Sequence, residues 1–368
     1  MVITNGRVFL PRRGFVDCDL GFGELIEAAG ELGSGGYDAS GCYVVPGFVD
    51  IHSHGAMDRD FSDGDGGAMD VLSAYYAANG VTSFLATTMT LKEPELTRAM
   101  LCVREAGPLP GARCAGVNLE GPFLSYAKRG AQNPDNLHRP DAGMFGRLDA
   151  ASGGAVRLVT VAPEVDGAGE FISQVSPHCT VSLGHTEADY ETARAAYSLG
   201  ASHATHLFNA MPPIHHRDTG VIGAAFDCGA TVELICDGLH VSPPAVRMAF
   251  SLFAGRLALI SDSLRCAGMP DGDYELGGLP IRLSGGVARL LDGTIAGSCI
   301  SVGEAVRRAV SFGVPLSTAV EAASGVPARA AGLTDCGELS AGKRADIVVL
   351  DQELNVKAVF VGGRQVIM

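Results

Sequence analysis

Two histidines one residue apart, His52 and His54, close the apolar run Val44-Val45-Pro46-Gly47-Phe48-Val49-Asp50-Ile51. Side chains two apart on a strand point to the same face, so both imidazoles can converge on one metal ion. Neutral imidazole suits zinc and similar divalent ions, which activate water near neutral pH. Solvated or hydrogen-bonded histidines at a strand end would account for the pair equally well, so the pair alone decides nothing. Glu120, His185, His206 and Asp262 each follow a short apolar run of their own. A lone aspartate in that position more often caps a helix. The repeated placement points instead to a metal-dependent hydrolase.

The elements that must position these side chains follow from periodicity. Short β-rich runs occupy 48–52, 82–87, 115–120, 156–161, 180–185, 201–206, 231–236 and 257–262, with helix-like stretches between them, such as 187–199 ended by Gly200. Eight strand–helix units imply an α/β fold, a (β/α)8 TIM-type barrel, whose active site forms at the carboxyl ends of the strands. The candidate ligands sit at those ends in runs one, three, five, six and eight. Residues 1–45 and 336–368 instead read as short strands separated by glycine-rich turns, and neither end could hide its apolar face alone. They are expected to pair into a small β-sandwich, leaving 46–335 as the barrel, with a β-hairpin insertion near 273–294. The glycine pairs at 277–278 and 285–286 lack the strand–GxxxxGK[ST]–helix context of a phosphate loop.

Composition narrows the partners. The 368 residues carry a formal charge of −14 and no basic block, which argues against nucleic acid or an anionic membrane as the main partner. There is no sustained apolar stretch of ~18 residues to span a bilayer, and no basic-then-apolar leader at the N-terminus. Ten cysteines without a CxxC pair suggest reduced thiols and a cytoplasmic location rather than a disulfide framework.

Several motifs are specific enough to carry a resemblance: PGFVDIHSHG at 46–55, LEGPF at 119–123, GHT at 184–186, THLFNAMPP at 205–213, DGLHV at 237–241 and AGS at 296–298. Over essentially its whole length the chain resembles the N-acetylglucosamine-6-phosphate deacetylases of the amidohydrolase superfamily. Spacing alone gives only a metal-dependent hydrolase; the resemblance implies the substrate. It implies hydrolysis of the acetamide of N-acetylglucosamine 6-phosphate to glucosamine 6-phosphate and acetate, by a metal-activated water with Asp262 as general base and then acid. It makes Glu120, His185 and His206 ligands of one divalent ion, most simply Zn2+, with Fe2+, Mn2+, Co2+ and Ni2+ as alternatives. Because this chain keeps the first-strand HxH, His52 and His54 are expected to hold a second ion, with Glu120 bridging and Asp262 adjacent; a single filled site is the alternative. His240 matches a histidine near the substrate carbonyl. Asp237, Asn209, Ala210, Ile295, Ala296 and Gly297 match sugar-contact positions. Arg217 matches a phosphate-binding arginine that reaches the neighbouring subunit's site, which implies a homodimer.

Two departures bear on specificity. Asn118 stands where the family commonly has histidine two residues before the metal-binding glutamate. In Gly130-Ala131-Gln132, Gln132 replaces a substrate-contacting histidine, and glutamine carries no charge near neutral pH. Deacetylation of another N-acyl hexosamine phosphate, such as the galactosamine isomer, therefore stays open. A dihydroorotase-like or N-acyl-amino-acid hydrolase typically uses a carboxylated lysine on strand four, and 156–161 offers none. A barrel kept only as an interaction scaffold would have lost ligands, and none is lost. His203, out of phase with His206 in strand alternation, is expected to face the helical layer.

Overall fold

A computed structural model describes residues 1–33 and 35–367. Eight parallel strands follow one another in chain order around a nearly closed barrel: β1 (Phe48–Ser53), β2 (Val81–Thr87), β3 (Arg113–Glu120), β4 (Val156–Val161), β5 (Thr180–Leu183), β6 (His203–Ala204), β7 (Thr231–Ile235) and β8 (Leu257–Ile260). Each is followed by a helix, from Gly66–Ala78 after β1 to Pro243–Leu252 after β7 and, beyond an insertion, Val302–Ser311 after β8. The seam between β8 and β1 is closed past the regular pairing. Asp262 N–H donates to the His52 carbonyl at 2.8 Å, and His54 N–H donates to the Ser263 carbonyl at 2.9 Å.

Alternation along the strands divides two cores. Phe48, Phe84, Val117, Leu119, Val159, Val181, Val232 and Leu259 pack with the helices. Val49, Ile51, Leu85, Leu158, Ala258 and Ile260 instead cluster with Val326, Ala328 and Ala330 of the short helix Gly325–Ala330. That helix fills the barrel end opposite the site, where β5 ties to it through Thr180 Oγ1 and the Ala330 carbonyl at 2.7 Å. The helix expected over 187–199 runs Tyr190–Ser198, because Asp189 takes the N-cap position and accepts from Thr192 N–H.

The two chain ends meet in one eight-stranded sheet. Tyr43–Pro46 lies between Val2–Leu10 and Ile347–Leu350, so the chain's first and last segments share a hydrogen-bonded ladder. Val44, Ile347, Val349 and Phe360 join Ile3, Leu20 and Phe22 in a core drawn from this sheet, over which the sheet curls. Their neighbours Val45, Val348 and Val359 turn the other way, into the barrel's core. The insertion after β8 is a three-stranded antiparallel meander, Gly272–Leu276, Leu279–Ser284 and Val287–Leu290. Its turns are Gly277-Gly278 and Gly285-Gly286, all at positive φ, as tight hairpin turns require. Its inner face, including Leu276 and Ile281, packs with Met89, Leu264 and Ala296 beside the barrel mouth.

Phe360 is fully buried against Phe22 and Tyr37, with ring centroids 5.3 and 5.9 Å apart. Phe360→Ala should cost about 3–5 kcal/mol, since a buried aromatic leaves a cavity as well as losing burial. Urea unfolding followed by circular dichroism checks this.

Candidate metal centre and active site

Glu120 ends β3 with its carboxylate buried in the barrel mouth. Four imidazoles surround it. His185 Nε2 and His206 Nε2 lie 3.2 Å from Oε1, and those two nitrogens are 3.1 Å from each other. His52 Nε2 is 3.3 Å from Oε1 and His54 Nε2 is 3.3 Å from Oε2. Asp262 Oδ1 stands 3.3 Å from His54 Nε2 and 3.6 Å from His52 Nε2. Two triads could each hold an ion, His52–His54–Glu120 and Glu120–His185–His206, and they share Glu120.

His52 and His54 do not converge through simple strand alternation. Pairing of β1 with β2 shifts after Phe48 and again between Asp50 and Ser53, and His54 lies beyond the strand end. The other ligands are also set by irregular backbone. His185, His206 and Asp262 have φ of 47°, 24° and 49°. Non-glycine residues rarely adopt such values, and where they do the surroundings must hold them. His185 is held by Ser125 N–H on its carbonyl at 2.9 Å, His206 by its own N–H on Glu233 Oε2 at 3.1 Å, and Asp262 by Ser298 N–H on its carbonyl at 2.7 Å.

The residues fit a divalent cation. Nitrogens and an oxygen 3.1–3.2 Å apart match the spacing of ligand atoms gathered about 2.0–2.2 Å from one small ion. His52 Nε2, which faces Glu120, is buried with no hydrogen-bond partner among the described residues, and buried polar atoms in proteins are nearly always satisfied. The electrostatics agree. Burial opposes charge on His54, yet Asp262 and Glu120 outweigh it and push its pKa up to about 9. Burial would raise Glu120, but His52 together with the hydrogen bonds from His185 and His206 holds it well below the usual carboxylate range. The carboxylates of the centre keep their charge and draw positive charge onto the surrounding imidazoles, a balance that a bound cation would supply in its place.

Above the centre opens a cavity of about 360 Å³. His54, Glu120, His185, His206, Asp262 and His240 line it, as do Ala131, Gln132, Asn209, Ala210, Ile295 and Gly297. Other expected contacts sit elsewhere. Asp237 stands behind His240, its Oδ2 2.7 Å from His240 Nδ1 while its Oδ1 accepts the Leu239 and His240 N–H groups at 2.8 Å, so it orients that ring. Ala296 is fully buried among Leu264, Leu276 and Ile281 and does not line the cavity. Arg217 is exposed outside its own chain's cavity, with Nη1 2.7 Å from His216 Nε2. Gln132 reaches the cavity, but its amide is engaged: Nε2 donates to Glu120 Oε2 at 2.6 Å and Oε1 accepts Thr90 N–H at 2.8 Å. Asn118 donates to the Ile51 carbonyl at 3.0 Å and braces β1.

His203 corrects the expectation from alternation. It faces the barrel interior, fully buried, with Nε2 3.2 Å from Glu233 Oε1. The reason is that β6 spans only His203–Ala204, so alternation cannot be extended to His206. Sequence reasoning missed Glu233, whose Oε2 lies 2.9 Å from His52 Nδ1. The available signal was a charged residue inside the apolar run 231–236. It also missed Lys128, whose carbonyl is 3.0 Å from His185 Nδ1 and fixes that ring.

Residues 43–366 match the Amidohydrolase family. The chain belongs to that family. Within it, the chain is 38% identical to N-acetylglucosamine-6-phosphate deacetylase of Bacillus subtilis over 323 residues, covering 85% of this chain and 82% of that protein. It is 36% identical to N-acetylgalactosamine-6-phosphate deacetylase of Escherichia coli O157:H7, covering 87% of each. Among solved structures, a mutant N-acetyl-D-glucosamine-6-phosphate deacetylase from Mycobacterium smegmatis in complex with N-acetyl-D-glucosamine-6-phosphate superposes with a TM-score of 0.94 at 38% identity, covering 100% of this chain and 99% of that one.

Binding of metal to the folded state alone implies a stability gain. Zn2+ supplied to chelator-stripped protein at 100 times its Kd should add about 2.7 kcal/mol per ion to the unfolding free energy. His206→Ala should remove the share belonging to the Glu120–His185–His206 ion. Chemical denaturation with and without Zn2+ measures both.

Proposed function

We propose that the chain hydrolyses the acetamide of N-acetylglucosamine 6-phosphate, giving glucosamine 6-phosphate and acetate. The observation that carries this reading is the grouping of Asp262 and His240 on one cavity wall with the Glu120-centred ligands, in a chain so similar to deacetylases of this substrate. Histidine and carboxylate donors favour Zn2+ as the resident ion, and His52 and His54 give a second ion a place. When bound, such a metal polarises the amide carbonyl and lowers the pKa of water.

The remaining steps belong to the chain's own groups. Asp262 takes a proton from the water that adds to the acetamide carbon. It then returns that proton to the nitrogen as the carbon–nitrogen bond breaks, so the amine leaves neutral. His240, its Nδ1–H held by Asp237, donates from Nε2 in its doubly protonated form to the carbonyl oxygen as negative charge develops there. Arg217, exposed in the loop before the helix Gly220–Asp227, is assigned to the 6-phosphate of the neighbouring subunit in a homodimer. Its planar fork suits a phosphate. The ten free cysteines fit a reducing compartment, and we place the protein in the cytoplasm. Among the described residues no helix is long and apolar enough to cross a membrane.

A second reading, deacetylation of the galactosamine isomer, is favoured by one feature. Gln132 offers the cavity an amide already bonded to Glu120, so epimer preference rests on fewer polar contacts. Acetate release from N-acetylglucosamine and N-acetylgalactosamine, each with and without 6-phosphate, separates the readings. Higher kcat/KM on N-acetylglucosamine 6-phosphate is the expected result.

Two variants test the residue roles. Asp262→Asn keeps size but cannot shuttle a proton, so kcat should fall at least ~10²-fold with a much smaller change in substrate affinity. Arg217→Ala should lose roughly 10- to 150-fold in kcat/KM on the phosphorylated sugar, the equivalent of about 1.5–3 kcal/mol of charge-assisted hydrogen bonding. It should lose little on the unphosphorylated one. Mixing Arg217→Ala with Asp262→Asn protein should restore activity in hybrid dimers if the arginine acts across subunits. Selective loss without restoration, once subunit exchange is verified, would place it in its own chain's site.

A further inference from the structure

Glu233 lies on β7 inside the barrel, fully buried and outside the substrate cavity, so it cannot touch substrate. Barrel interiors are normally filled with branched aliphatic side chains, and an ionised carboxylate in a dry interior costs several kcal/mol unless it is well paired. The partners of Glu233 are specific. Oε2 lies 2.9 Å from His52 Nδ1 and accepts the His206 N–H at 3.1 Å, while Oε1 stands 3.2 Å from His203 Nε2, an ion-pair approach rather than an aligned hydrogen bond. His203 is in turn held by Thr231 Oγ1, 2.5 Å from its Nδ1.

This arrangement has a directional consequence. A neutral imidazole has one N–H and one lone pair. The carboxylate at Nδ1 takes the N–H, so Nε2 of His52 must present its lone pair. That atom is buried, has no hydrogen-bond partner among the described residues, and faces Glu120 and Asp262 at 3.3 and 3.6 Å. One carboxylate also fixes His206, a ligand of the other triad, through the backbone at φ 24°.

We infer that Glu233, backed by His203, is a positioning residue for the metal centre: it fixes the His52 tautomer and basicity for the second ion and the His206 backbone for the first. The inference rests on the two-ion reading given above. Glu233→Gln separates charge from shape. Its amide oxygen can keep both bonds made by Oε2, while its amide nitrogen faces His203 and the negative charge is gone. Glu233→Ala removes the bonds as well.

The test is titration of the metal-stripped full chain with Zn2+ against a chromophoric chelator, with His52→Ala identifying the step that belongs to the second ion. Loss of an outer partner of a metal-bound histidine typically weakens binding 10- to 100-fold. In Glu233→Gln the second ion's Kd should rise by about that factor with the first unchanged; in Glu233→Ala both should rise. Two ions in the wild type with an unchanged second Kd in Glu233→Gln would overturn the inference and leave the two-ion reading standing. A wild type that never takes up more than one ion would overturn both. Wild-type protein labelled with 15N-histidine gives a readout that needs no variant. With Zn2+ bound, His52 should carry its proton on Nδ1 and coordinate through Nε2, and the opposite tautomer would overturn the inference.

Discussion

The shared carboxylate of Glu120 is the interaction on which the rest of the site depends. Four imidazoles from β1, β5, β6 and the segments just beyond them point at two buried oxygens at the floor of the cavity. Such a cluster is costly without compensation, because desolvated charges and lone pairs need partners. A divalent ion between the donors supplies that compensation, and the barrel supplies the donors. Because the ligands leave four different strand ends, with His52 and His54 sharing β1, no single loop can shift one without straining its neighbours. Left-handed backbone at His185, His206 and Asp262 costs of order 1–3 kcal/mol per residue. It is sustained by hydrogen bonds from Ser125 and Ser298 in other loops and to Glu233 on β7.

The elements outside the barrel serve the same end. The helix Gly325–Ala330 closes the far end and packs with the inward residues of β1 and β8, which carry His52 and lead to Asp262. The terminal sheet presses Val45, Val348 and Val359 onto the helical layer just before β1 begins. The meander after β8 leans on Leu264 and Ala296, holding the segment with Ile295 and Gly297 against the cavity. Ala296, between two cavity-lining residues, therefore shapes the cavity without lining it.

Much of this was legible in the residues. Each of the eight apolar runs became a barrel strand, because β-branched alternation survives burial on both faces. The ends of those runs carried Glu120, His185 and His206, which the structure brings together, and Asp262, which it places beside His52 and His54. What was not legible depended on backbone that breaks the rule of two. The shifts in β1 pairing and the two-residue length of β6 decide where His52, His54 and His203 point, and alternation assigned His203 to the wrong side. Glu233 was hidden for a related reason: in sequence it is one charge in an apolar run, and only the closed barrel brings it under His52. Gln132 lines the cavity, and no sequence pattern showed that its amide also bonds Glu120 and Thr90.

Glu120→Gln tests the central claim most directly, since it keeps the size of the side chain and removes the one charge common to both triads. Metal content by mass spectrometry and acetate release from N-acetylglucosamine 6-phosphate should be measured on the same preparation. The account predicts that both ions are lost together and acetate release with them. A Glu120→Gln protein that still retains its metal and turns over the substrate would contradict it.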